Sequence, residues 1–399
     1  MSITGFRIAL PVILGALMCT PLAASPRFPN PLPAGQLMKV KVLPARYPDG
    51  WVFLDYASER IEIRDVGGDD GAVEGQVQAR DSTTLLVPHG RAEFYTADTV
   101  WSRYTRGTRT DYITVYDKRT LDPIGEIVLP GAKRALITAM QGMFEFTDRQ
   151  RLGLVFNFTP ASSVTVVDLI ARKVLGTIDI PGCSLIYPSG DLGFSTLCSS
   201  GTILSLKLDA QGRVAARRES ARFNHLGRDP LFTSSALIGG VRYFATMQGN
   251  AQPIDMHAEF AKVLPAWSLL SPSERAAGWR PSGWQVVASD GKKDLYVLMQ
   301  AQAHEGTQKD PAQEVWVYDV AAKARIRRLH LVRPGGSIAL THGSKPLLVV
   351  QSYAPRPGAD DPYNQTEGRI DVYDPASGTL IRSLNTPGFR TRMSIQAVH

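Results

Sequence analysis

The chain has 399 residues, 44% hydrophobic and 20% charged, a balance that excludes a disordered chain and supports a large core. The formal net charge of +7 comes from scattered Lys and Arg, with no run of five or more and no basic-aromatic stripe. Nucleic-acid binding is therefore not expected, although a basic face can still steer an acidic partner.

Residues 1–24 read as a secretory signal peptide. Arg7 supplies the early positive charge, residues 8–18 the short apolar core, and the small residues ending at Ala24 a cleavage site. That core is too short to anchor in a bilayer. No other stretch is long and apolar enough to span one, so the mature chain is expected to be exported, with no membrane contact after cleavage. Residues 25–44 are expected to form an extended, Pro-rich N-terminal arm, and residues 45–399 the folded domain.

Past the arm, alternating strand patterns recur. Residues 51–55 (WVFLD) and 60–65 (RIEIRD) open the series, and 112–117 (YITVYD), 163–168 (SVTVVD) and 202–209 (TILSLKLD) repeat it. A divergent fifth unit has 241–246 (VRYFAT) and 251–255 (AQPID), and 314–319 (EVWVYD) and 368–374 (GRIDVYD) complete the set. The strand-ending aspartates are Asp65, Asp117, Asp168, Asp209, Asp255, Asp319 and Asp374, separated by 52, 51, 41, 46, 64 and 55 residues. Seven units of about four short strands predict an all-β fold, a seven-bladed β-propeller. The aspartates are expected to form turns rather than bind a ligand, because a short carboxylate at a strand end accepts backbone N–H bonds.

One short helical insertion interrupts the strands at residues 271–278 (SPSERAAG). Ser271 is its N-cap, Pro272 its first residue, and Glu274 completes a capping box. Residues 353–367, with Asp360 and Asp361, are expected to be a surface loop. In the mature chain Cys183 and Cys198 are the two cysteines, fifteen residues apart. In an oxidising compartment they are expected to form a disulfide across a hairpin. Closing such a loop contributes on the order of 3 kcal/mol.

Reactive constellations are missing. The sequence has no phosphate loop, no nucleophile elbow, no His-Glu-x-x-His zinc pair and no Cys-x-x-Cys-His haem attachment. None of the seven histidines is spaced to ligate a metal with another, and the tryptophans Trp267, Trp279 and Trp284 are expected to pack the insertion. No catalytic, cofactor-binding or metal-binding residue is expected in this chain. Its chemistry belongs to a partner, or it only binds.

Several long, collinear stretches do carry a resemblance. Residues 100–112 (VWSRYTRGTRTDY), the Cys183 to Cys198 hairpin, the insertion at 267–284 (WSLLSPSERAAGWRPSGW) and residues 304–319 (HEGTQKDPAQEVWVYD) look like the heavy subunit of the tryptophan tryptophylquinone amine dehydrogenases. The last stretch resembles the aromatic-amine (aralkylamine) branch, and the likeness extends to methylamine dehydrogenase heavy chains. The resemblance covers roughly residue 45 to the end. It implies a periplasmic complex of two heavy and two light subunits, the heavy one a seven-bladed propeller. The tryptophan tryptophylquinone cofactor and the catalytic base lie in the light subunit. Primary amines become aldehyde and ammonia there, and the electrons leave singly to a small blue copper protein. In methylamine-oxidising members a heavy-chain phenylalanine lines the substrate channel about twenty residues before the Ser-Arg-x-x-Arg-Gly segment. Counting back from Arg103 reaches Asp81, the substrate-channel candidate. Either its carboxylate sets the channel polarity, or the loop aligns with a gap. The competing reading is a free-standing periplasmic propeller that binds a ligand and catalyses nothing.

Overall fold

Alternation of apolar and polar residues gives strands with one face in a core, and the chain is built almost wholly from them. The structure is a computed structural model that describes residues 41–398 except 57–59, 81, 148, 356–365 and 387–392. The expected signal peptide, and the N-terminal arm up to residue 40, lie outside the described residues. At the described end of the arm Leu43 is buried and its N–H donates to the Arg119 carbonyl (2.8 Å).

Each unit is an antiparallel meander whose strands pair in chain order. One sheet runs Thr84–Leu86, Glu93–Arg103, Arg106–Asp117 and Pro123–Leu129. The next runs Phe144–Thr147, Leu152–Asn157, Ser163–Asp168 and Lys173–Asp179, and a third Cys183–Ser189, Gly193–Cys198, Ile203–Leu208 and Val214–Glu219. A fourth starts at Leu231–Ile238, Val241–Thr246 and Asn250–Asp255. The remaining small sheet joins the chain ends: Ser394–Ala397 pairs with Trp51–Asp55, which pairs with Arg60–Asp65. That pairing shuts the row of sheets into a ring, which makes the fold an all-β propeller.

The seven four-stranded units do not appear as seven separate sheets. Five sheets are of blade size, four with four strands and one with five, and the sixth has eight strands. The cause is the single strand Ala324–Leu340. It pairs with Ala312–Asp319 along its first part and with Leu348–Pro355 along its last, with no turn between the two pairings.

Burial follows position in the ring. Trp51–Asp55 and Leu152–Asn157 are buried along their whole length, whereas the outer strand Val214–Glu219 has no buried residue. Strands in the middle of a sheet meet neighbouring sheets on both faces, and outermost ones meet solvent. Trp316 is fully buried, and Trp279 packs against it with tilted rings, 5.0 Å between centroids.

The strand-end aspartates are turn-formers. Asp65, Asp117, Asp168, Asp319 and Asp374 each accept backbone N–H bonds from the residues two and three ahead. Asp209 accepts from Gln211 and Arg213, and Asp255 from His257. In every unit but that of Asp255, a register shift sits one or two residues before the aspartate. Such a bulge lets the hairpin twist into its turn.

Cys183 and Cys198 are bonded and lie opposite each other on paired strands. The helix is Pro272–Ala276, with both capping-box bonds present: Ser271 N–H to Glu274 Oε2 (2.9 Å) and Glu274 N–H to Ser271 Oγ (3.3 Å). The loop expected at 353–367 is shorter than the sequence indicates. Tyr353, Ala354 and Pro355 pair with Gly368, Glu367 and Thr366, which extends the hairpin into the polar run. Asp360 and Asp361 lie outside the described residues.

Candidate functional site: one face of the ring and its channel

In an antiparallel four-strand unit the second-to-third connection, and the connection onward to the next unit, leave at the same edge. The inner strands of adjacent units run in one direction, as the parallel bridge between Gln285 and Ser337 shows. The aspartate turns therefore share one face of the ring. The other face receives the hairpin joining Glu93–Arg103 to Arg106–Asp117, the segment 130–143, the insertion between Lys262–Val263 and Val287–Ser289, and residues 301–311. The disulfide also lies at this edge. All four stretches singled out in the sequence thus meet on one face.

Asp81 lies outside the described residues, so the structure does not place it. The residues just after it are held by a buried polar network. The Arg134 guanidinium, 2% exposed, donates through Nη1 to the Ser82 carbonyl (2.6 Å) and through Nε to Thr99 Oγ1 (3.2 Å). Thr83 donates to Asp98, which also accepts from Thr96 (2.8 Å). Arg109, within the 100–112 stretch, grips Asp111 through two nitrogens (2.9 and 3.0 Å), and Asp111 accepts the Arg134 N–H (2.8 Å). Burial lowers the pKa of Arg134, and Asp98 and Asp111 counter that shift. The network fixes loop 82–84 against two strands, and only the Arg-rich motif at 103–109 hinted at it.

A second cluster seats the insertion. Arg325 and Arg328 both lie over the Trp316 ring (4.3 and 4.7 Å), and Arg328 also covers Trp279. Glu274 pairs with Arg325 at 2.7 Å, and Glu314 takes Arg328 through both oxygens (2.8 and 2.9 Å). Burial raises the pKa of Glu274, but the Arg325 bond and the Ser271 N–H outweigh it and bring it down to about 2. Trp267 packs edge-on against Tyr318 (5.6 Å). These tryptophans hold the insertion down and form no cage.

The axis of the ring is hollow. A cavity of about 490 Å³ opens among the loop-face residues Ile137, Met247, Trp284 and Lys309. A deeper one of about 240 Å³ shares Met140, Gln141, Gln285 and Ser394 with it and reaches Asp55 and Glu145. Nothing in the sequence around residues 139–145 signalled this lining, because inner strands from several sheets contribute to it. Around the loop face Tyr104, Leu136, Ile137, Phe158 and Leu226 are exposed, Tyr104 by 81%.

Among the described residues no group of three or more His, Cys, Asp or Glu is placed to hold a metal ion, and no helix is long and apolar enough to cross a membrane. The histidines serve locally: His257 Nδ1 lies 2.7 Å from Asp255, and His304 Nδ1 lies 3.0 Å from the Glu305 carbonyl.

Comparison with known proteins gives a consistent result. The family described as methylamine dehydrogenase heavy chain matches residues 60–357. The chain is 29% identical over 326 residues to the methylamine dehydrogenase heavy chain of Methylorubrum extorquens, covering 81% of this chain and 76% of that one. It is 30% identical over 329 residues to the heavy chain of Paracoccus versutus, covering 81% and 73%. Among solved structures, the β-propeller domain of Cps50 (Swd1) from Myceliophteria thermophila superposes with a TM-score of 0.52 at 10% identity, covering 78% of this chain and 92% of that one. That likeness bears on the fold alone.

Proposed function

This chain belongs to the methylamine dehydrogenase heavy chain family, and we propose that it is the non-catalytic propeller subunit of a periplasmic enzyme oxidising primary aromatic amines to aldehyde and ammonia. It is the heavy chain of an amine dehydrogenase of the methylamine dehydrogenase type. The finer reading goes further. The partner is a light subunit bearing tryptophan tryptophylquinone, the assembly is two heavy plus two light chains, and the electrons pass to a small blue copper protein. Counting the eight-stranded sheet as two blades that share the strand Ala324–Leu340 makes the propeller seven-bladed. Residues 1–24 are cleaved on export, and residues 45–399 form the propeller.

One observation carries this reading. The insertion, the long hairpin, the disulfide edge and loop 301–311 gather on one face, while the opposite face keeps regular turns. Exposed Tyr104, Leu136, Ile137, Phe158 and Leu226 on that face are what a partner subunit would cover. The resemblance puts Asp81 at the substrate channel, where a carboxylate would meet an ammonium substrate on its way to the light subunit. No chemical step falls to a residue of this chain. Its part is to hold the light subunit and shape the approach.

Co-expression with the cognate light subunit tests the reading. The two chains are expected to co-purify in equal amounts and to reduce a dye in an amine-dependent way, faster with an aromatic amine than with methylamine. A chain that stays monomeric beside a folded light subunit would leave it a free-standing binding propeller. A complex that prefers methylamine would remove the aromatic assignment alone.

A further inference from the structure

The inner axial cavity has an unusual wall for a space of about 240 Å³. Its ionisable lining residues are Asp55 and Glu145, with no Lys, Arg or His among them, and Phe53, Leu86, Phe144 and Met140 supply apolar surface. Two of the amides there are tied to neighbouring strands through their carbonyl oxygens. Gln285 donates to the Ile338 and Ile395 carbonyls (2.8 and 3.0 Å) and accepts the Ile395 N–H, so it ties two inner strands together. Gln141 accepts from Ser235 N–H (2.7 Å) and Oγ. Glu145 differs: it accepts the Gly142 N–H (3.1 Å), and among the described residues no side chain forms an ion pair with it. Arg242 stands behind Ser235, bonded to its Oγ (3.1 Å).

A carboxylate has about four acceptor positions, so Glu145, which lines the cavity, keeps acceptor capacity. Burial raises its pKa, with Arg242 and the Gly142 N–H as counterweights. A half-buried carboxylate with so little compensation carries a desolvation cost, and a cation entering beside it offsets that cost.

We propose that the axial channel is a binding site for a small organic ammonium ion, its charged nitrogen held by Glu145 and its carbon body against Phe53, Phe144 and Met140. A bare metal ion suits the site poorly, because among the described residues no third acidic or imidazole ligand joins the carboxylates. The outer cavity, walled by Ile137, Met247 and Trp284, is the entrance. The inference does not depend on the subunit role, since every group it uses lies in this chain.

The test is calorimetry on the purified full chain, with N,N-dimethylethanolammonium as the probe. This tertiary ammonium keeps one N–H donor and cannot form an imine with a carbonyl, so its binding is independent of turnover. Its uncharged carbon isostere, 3-methyl-1-butanol, is the comparison. The cation is expected to bind saturably at one site and at least tenfold more tightly than the isostere. Glu145→Gln is expected to remove that preference. Met140→Trp, which fills part of the inner cavity and leaves Glu145 intact, is expected to weaken binding and stands in if Glu145→Gln misfolds. Equal affinity for cation and isostere, a cation preference that survives Glu145→Gln, or no saturable binding would overturn the proposal.

Discussion

The two faces of this ring are secured by different kinds of contact. On the turn face, each aspartate bonds to N–H groups no more than four residues ahead of it, so each turn is self-contained. On the loop face the contacts reach further along the chain: Arg134 reaches Ser82, Arg109 reaches the Arg134 carbonyl, and Arg275 reaches the Gln248 carbonyl. The first arrangement repeats because any unit can form it alone. The second exists only after the ring has closed, and it leaves that face free to carry unique loops.

The comparison predicts unequal costs. Arg134→Met removes a buried cation from beside Asp98 and Asp111 and leaves the Ser82 carbonyl without its partner. A loss of about 3–5 kcal/mol is expected in denaturant unfolding. A loss under about 1 kcal/mol would erase the distinction between the faces. Asp319→Ala removes the acceptor for the Ala321 and Ala322 N–H groups (2.9 Å each) in an exposed turn, and about 1 kcal/mol is expected. Its effect should be confined to one hairpin, which amide hydrogen exchange can localise.

An effect of similar size concerns the insertion. The folded-state pKa of Glu274 is about 2, below its ordinary value of 4.5. Its contribution is therefore complete above that ordinary value and is lost as the pH falls through about 2. Comparing the thermal unfolding of the native chain with Glu274→Gln should show a gap of about 1 kcal/mol near neutral pH that closes in acid. A gap that persists unchanged in acid would assign the effect to the capping geometry rather than to the charge on Arg325.

The turn face, and the local features of the loop face, were legible in the sequence because their determinants lie close together in the chain. Asp followed by a polar turn, Ser271 three residues before Glu274, and two cysteines at opposed hairpin ends each specify a structure closed over a few residues. Beyond those local features, the loop face was legible only as stretches. Residues 100–112 and 267–284 stood out, but neither Arg134 nor Ser82 did, because their partnership joins positions 52 residues apart.

By itself, then, the sequence determined the repeating strands, the seven aspartate turns, the cap of the helix and the disulfide, all of which depend on hydrogen bonds or bonds formed within short loops. Tertiary structure alone decided three further things. Ala324–Leu340 runs through as one strand and fuses two units into an eight-stranded sheet. Arg134 clamps the loop after residue 81. Glu145 ends in an axial cavity beside residues drawn from both ends of the chain. The physical reason is common to all three. Closing the ring sets which inner strands face one another, and that choice fixes the long-range polar contacts and the space left along the axis.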